Sequence, residues 1–234
     1  QIRFEGQADD HEDPIVYRVN GDYKVRGLTY IEGSGQETEL VITDQADSIS
    51  LGDLTVDFRA GFRANTALRI DNNLRLGNTS AGFENNDSVR VTGNMTWRGG
   101  TISGSGTTIA DEGMELPGGA GSASNVKRLD GHELILAEND TAKYTGNLLR
   151  AENGAELRIE EGAVFDFQNW GNMEVSSENE PAPTIINRGK IIKSSGDSDS
   201  EIGWDLQNYG MVQSANDRLR FYGSITDQDG NYSA

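Results

Sequence analysis

Val164-Phe165-Asp166-Phe167-Gln168-Asn169-Trp170-Gly171-Asn172-Met173-Glu174-Val175 is the stretch that decides the fold. Short runs with apolar residues at every second position lie on both sides of an Asn-x-Gly step. Period-two runs bounded by Asn and Gly read as strands joined by a tight corner. The order recurs in Thr184-Ile185-Ile186-Asn187-Arg188-Gly189-Lys190-Ile191-Ile192 and in Trp204-Asp205-Leu206-Gln207-Asn208-Tyr209-Gly210-Met211-Val212. The three Asn positions are 18 and 21 residues apart, and a looser copy stands at Asn153-Gly154. Self-similarity at a fixed short period marks a stack of like units.

A period near 20 fits one coil of a β-solenoid. Asn tolerates left-handed backbone and Gly adopts it without steric cost, so both suit a recurrent corner. Asn169, Asn187 and Asn208 are therefore expected to stack as a ladder at one corner. The residue inside each step varies (Trp170, Arg188, Tyr209), as an outward-facing position allows. Trp170 and Tyr209 become candidate exposed aromatic contacts, for a sugar or for another subunit. Alternation turns Phe165, Phe167, Ile185, Trp204 and Leu206 inward, and Trp97 is assigned to the core with them.

The same rhythm extends outward along the chain: Val16-Tyr17-Arg18-Val19, Leu54-Thr55-Val56-Asp57-Phe58, Val89-Arg90-Val91, Glu156-Leu157-Arg158-Ile159. No long stretch has apolar residues at helical spacing. The 234 residues contain 29 Gly but only 4 Pro, so Gly punctuates segments rather than forming a Pro/Gly linker. The hydrophobic fraction of 35% suits a thin core with many exposed turns. At roughly 20 residues per coil and ~4.8 Å per layer, about ten coils make a rod of roughly 50 Å.

With this pattern established, a resemblance can be stated. Leu129 to Gly223 resembles the strand-Asn-x-Gly-strand repeats of large bacterial surface proteins. Thr92-Gly93-Asn94-Met95-Thr96-Trp97-Arg98-Gly99-Gly100-Thr101-Ile102-Ser103-Gly104-Ser105-Gly106 is similar to a run common among them. The likeness covers residues 89 to 223, and residues 15 to 80 share only the rhythm. It implies an all-β, single-stranded right-handed parallel β-helix, adhesin-like and displayed on a cell surface or secreted, with no catalytic residues.

Charge narrows the partners. With 38 acids against 20 bases the net charge is −18, which repels phosphate backbones and argues against nucleic acid. No apolar run approaches the ~20 residues of a membrane span. Cys is absent, which removes thiol chemistry and Cys-based zinc sites. No cofactor is expected unless it is calcium: Asp197, Asp199, Asp227 and Asp229 offer alternating carboxylates in loops, hard oxygen ligands that suit that ion, the alternative being plain acidic solvated turns. Asp166, Glu174 and Asp205 fall near equivalent coil positions and could align as the acidic stripe that a polysaccharide lyase or hydrolase needs, but among 38 acids such an alignment reads as solvated face. His132 reads as a surface residue.

Residues 15–225 are expected to form the solenoid, with 1–14 an N-terminal arm and 226–234 a C-terminal tail. An open stack leaves strand edges unpaired, which are templates for β-pairing unless capped. Ile2-Arg3-Phe4 alternates like a strand and is the candidate assembly strand, pairing with the next copy head to tail. The functional expectation is a non-enzymatic extracellular structural protein that self-assembles into filaments. The alternative is a carbohydrate-binding or polysaccharide-degrading β-helix protein acting on surface polysaccharide.

Overall fold

The computed structural model describes every residue except 7–13, 35, 44, 47, 79, 119–124, 147, 177–180 and 234. The acidic run Ala8-Asp9-Asp10-His11-Glu12-Asp13 lies outside the described residues. Short alternating segments interrupted by Gly and Asn cannot bury a helical stripe, and they form strands throughout. Every strand pairing is parallel, each strand stacking on its counterpart about 22 residues away, in a β-solenoid of about nine turns. Among the described residues no helix is long and apolar enough to cross a membrane.

Each complete coil has three strands and therefore three faces. Face A is a ten-stranded sheet running from Ile15–Val19 to Leu219–Phe221. Face B stacks residues 23–25, 49–51, 68–70, 88–91, 107–110, 133–136, 156–159, 184–187, 205–208 and 225–227. Face C stacks residues 2–5, 28–32, 53–57, 74–76, 95–97, 114–116, 141–144, 164–167, 190–193, 211–214 and 231–233. The two longest strands, Tyr23–Glu32 and Ile49–Asp57, run through the B-to-C corner and serve both faces.

The core is built from inward columns that run the length of the stack. On face C one column reads Ile2, Thr29, Leu54, Leu74, Met95, Met114, Ala142, Phe165, Ile191, Val212, Tyr232. Trp97, Phe165, Phe167, Ile185, Trp204 and Leu206 are all buried in this interior, as the alternation predicts. Phe62 and Phe83 stack at 5.5 Å on adjacent layers of face A, the separation that parallel layers impose on like residues.

Outward columns carry the charge. Arg158 reaches Glu133 at 2.6 Å and Glu156 at 2.8 Å, and Arg63 lies between Glu39 (3.2 Å) and Glu84 (3.0 Å). Bases placed between acids of neighbouring strands offset part of the self-repulsion of a −18 chain, although each exposed pair contributes little by itself.

The two chain ends differ from expectation. Ile2–Glu5, Ile225–Asp227 and Asn231–Ser233 are not arm or tail but strands of faces C, B and C. A ladder edge supplies donors and acceptors to any extended segment, so a terminal segment with few apolar residues still adds a layer.

Candidate functional site

Three corners join the faces, and all three use Asn and Gly. Asn187 and Asn208 end adjacent face-B strands and stack directly, Asn187 Nδ2 donating to Asn208 Oδ1 at 2.7 Å and to the Met211 carbonyl at 3.1 Å. Asn169 does not join them. It sits at the C-to-A corner, and the residue above Asn187 is Ile159. The repeated motif thus marks two different corners, because a three-strand coil passes three Asn/Gly turns per layer. For the same reason Trp170 and Tyr209 share no edge. Trp170 is exposed at the C-to-A corner, while Tyr209 lies at the B-to-C corner with the Arg188 guanidinium 5.6 Å from its ring centre.

Asp166, Glu174 and Asp205 point from faces C, A and B and form no common stripe. The proposed calcium ligands are likewise not brought together. Asp197 and Asp199 lie at the C-to-A corner, and Asp227 and Asp229 at the far end of face B. Asp199 is held by Arg218 (3.1 Å) and Arg220 (2.6 Å), and the Arg218 hydrogen bond pulls its pKa below the ordinary carboxylate value. Asp227 accepts from the Gly230 amide at 2.8 Å. Among the described residues no group of three or more His, Asp or Glu is placed to hold a metal ion.

The interior holds polar groups that alternation does not reveal. His132 is buried rather than on the surface, its Nδ1 3.1 Å from the Gly104 carbonyl and its Nε2 2.9 Å from Thr108 Oγ1. A carbonyl can only accept, so Nδ1 carries the proton and Nε2 accepts from the Thr108 hydroxyl. Burial lowers the pKa of the ring. Lys127 and Lys193 are also fully buried near the C-to-A corner, donating to the carbonyls of Pro117 and Asn169, each at 2.8 Å. Burial, with a smaller contribution from Arg98, brings Lys127 down to about 8. Lys193 also donates to the Ser195 carbonyl at 3.2 Å, so both ammonium groups meet backbone carbonyls at a corner, where the coil turns and its C=O groups leave the ladder.

Face A carries an open trough of about 430 Å³, floored by Gly61 and Gly82 on adjacent strands and bordered by Glu39, Arg59, Arg63 and Ser80. Its size falls within the range of small-molecule sites.

The most distinctive surfaces are the two ends of the stack. The inward columns are closed along their length and open at their last members. Leu206 is 1% exposed, and Ile225, the next residue in its column, is 48% exposed. Val212 is 5% exposed, and Tyr232 beyond it is 50% exposed. At the opposite end Ile2, in the same column as Tyr232, is 39% exposed. The candidate assembly strand is engaged within its own chain. Ile2, Arg3 and Phe4 pair with Thr29, Tyr30 and Ile31, Arg3 bonds Glu32 at 2.7 Å, and the Phe4 ring lies 5.0 Å from that of Tyr17. Its outer edge faces away from the stack. Sequence reasoning identified this segment as a strand but missed its pairing, which depends on residues 28–32 falling one layer away. The chain matches no family model, no curated protein and no solved structure.

Proposed function

We propose that this chain is a non-enzymatic structural protein of the extracellular space or cell surface, adhesin-like in role, that lengthens by end-to-end β-pairing with copies of itself. The observation that carries the reading is the course of the inward columns. The positions equivalent to Ile2, Ile225 and Tyr232 are buried in every inner coil, so a further coil in register would continue each column. A further β-coil is the shape that covers such an end, since it supplies apolar side chains in register and backbone partners for the edge. Heterologous contacts of this kind generate open filaments.

Light scattering across a concentration series tests assembly, with rods that lengthen as concentration rises as the expected result. A strictly monomeric protein at high concentration would overturn it. Turnover in a reducing-sugar or unsaturated-product assay over a polysaccharide panel would overturn the non-enzymatic part.

A second reading, binding of a surface polysaccharide without turnover, is favoured by the Gly-floored trough on face A. Gly82→Gln places a side chain over that floor and should abolish retention on an immobilised glycan panel. Retention unchanged by the substitution would remove the reading.

A further inference from the structure

One outward column of face B changes character in the middle of the stack. Along the layers it reads Lys24, Ser50, Arg69, Arg90, Ile109, Ile135, Arg158, Ile186, Gln207. Polar side chains hold the position up to Arg90. Ile109 and Ile135 then take it on two consecutive layers, with an arginine on either side. Both are half-buried rather than buried, so an aliphatic step lies on the outside of the coil. Two residues further along the chain, at the start of the B-to-C corner, Ala137 stands between Asp111 on the layer before and Glu160 on the layer after. A methyl group between two carboxylate side chains leaves a notch. Step and notch together form a groove of about 640 Å³, larger than the trough on face A.

The walls carry more negative charge than the neighbouring bases offset. Arg90 is engaged by Asp111 at 2.6 Å, and Arg158 by Glu133 and Glu156 at 2.6 and 2.8 Å. Glu112, Glu138 and Asp140 line the corner side of the groove and make no ion pair among the described residues. Lys143 lines the hollow that adjoins them around the corner and pairs with none of them. Burial raises the pKa of Asp140, and the neighbouring Asp111 and Glu112 add to the rise, as uncompensated carboxylates do. A solvated acidic face has no need of an aliphatic floor, so the outward isoleucine pair is a separate mark of an occupant.

We infer that this groove docks a basic segment of a partner protein, which lays an aliphatic side chain on Ile109 and Ile135 and sets Lys or Arg against Glu112, Glu138 and Asp140. Charge complementarity selects that occupant. A second copy of a −18 chain and a nucleic acid are both repelled, whereas a segment bearing cations beside an apolar side chain matches wall and floor together. The inference uses residues of inner coils alone and does not depend on end-to-end assembly.

Fluorescence anisotropy of a labelled short peptide of alternating Lys and Leu, titrated with the intact chain, tests it. The peptide should bind the wild type, more weakly as salt rises. Ile109→Ser/Ile135→Ser and Glu138→Gln/Asp140→Asn should each weaken binding about tenfold or more, the scale of losing a buried apolar contact or a set of charge partners. Glu152→Gln/Asp197→Asn removes the same charge from face A and the C-to-A corner, and should change binding less than about twofold. A peptide of alternating Lys and Ser should bind the wild type about tenfold more weakly than the Leu peptide. The substituted side chains lie outside the core, so thermal unfolding should stay close to wild type in every variant. Ala137→Arg fills the notch with a cation of the chain's own and should block the peptide without unfolding the protein. Equal loss in the groove and control variants would reduce the effect to diffuse attraction and overturn the site. Full affinity in Ile109→Ser/Ile135→Ser, or no binding by the wild type, would overturn it as well. Side-by-side dimers in sedimentation velocity that vanish in Ile109→Ser/Ile135→Ser would show that a second copy covers the groove, and would overturn the basic partner.

Discussion

Replacing Phe167 by Ala tests whether the inward columns hold the stack together. Phe167 is 1% exposed and stands between Tyr144 and Lys193 in its column. Its ring meets Tyr144 edge-on at 5.4 Å and Phe165 at 5.3 Å. Truncation returns roughly 150 Å² of apolar surface to the unfavourable side, about 4 kcal/mol at ~25 cal/mol per Å². Losing two aromatic contacts adds about 1–2 kcal/mol. Relaxation works in the other direction, because the cavity adjoins the Lys193 stem and the C-to-A corner, where the neighbouring coils can close in. The expected net cost is about 3–5 kcal/mol. Phe167→Leu, which keeps most of the volume, should cost about 1 kcal/mol. Equilibrium unfolding in guanidinium, followed by fluorescence of the buried Trp97 and Trp204 and by far-ultraviolet dichroism, measures both. A solenoid is held by nearest-neighbour contacts, so the Trp204 signal, from later coils, should shift more than that of Trp97. A loss below about 1 kcal/mol for the Ala variant would refute the assignment of this column as the energetic core.

Four further outcomes follow from the interior and the charge. Asn187→Leu alone should cost about 1–3 kcal/mol by leaving Asn208 Oδ1 unpaired, and adding Asn208→Leu should recover most of it by extending the column from Ile159; a double-mutant cycle in urea measures the coupling. Lys127 has a folded pKa of about 8 against 10.5 unfolded, so the unfolded chain holds the extra proton between those values. Stability should therefore rise as pH climbs from about 8 to 9.5, an effect that Lys127→Met removes from the melting curve. His132 has its pKa lowered by burial. As pH falls below about 6.5 the unfolded chain gains a proton that the folded chain refuses, so the melting temperature should drop, and less so in His132→Gln. Screening should raise the melting temperature of this −18 chain between about 10 and 500 mM salt, and calcium outperforming magnesium at matched ionic strength is the result that a calcium site requires.

The coil architecture and the core were legible because alternation is a local signal. Phe165, Phe167, Ile185 and Leu206 each lie within a strand whose own period decides which way they face. The corners were not legible to the same degree. Asn169, Asn187 and Asn208 share one motif, yet the chemistry that suits a tight turn suits all three corners of a coil, and only the strand count between them tells which corner each occupies. His132 shows a second limit. Its burial depends on the Gly104 carbonyl and Thr108 hydroxyl one layer away, which nothing in Gly131-His132-Glu133 announces. The ends illustrate a third. Ile2–Glu5 reads as a strand but does not announce its partner at residues 28–32, and Asn231–Ser233 carries too few apolar residues to be read as a layer, because what recruits it is the open backbone edge beside it.

Electron microscopy of the purified protein tests the end-to-end claim most directly. Inward columns continued from copy to copy predict unbranched filaments one solenoid wide, with strand layers ~4.8 Å apart along the filament axis. A field of separate rods about 50 Å long, unchanged at high concentration, would contradict it.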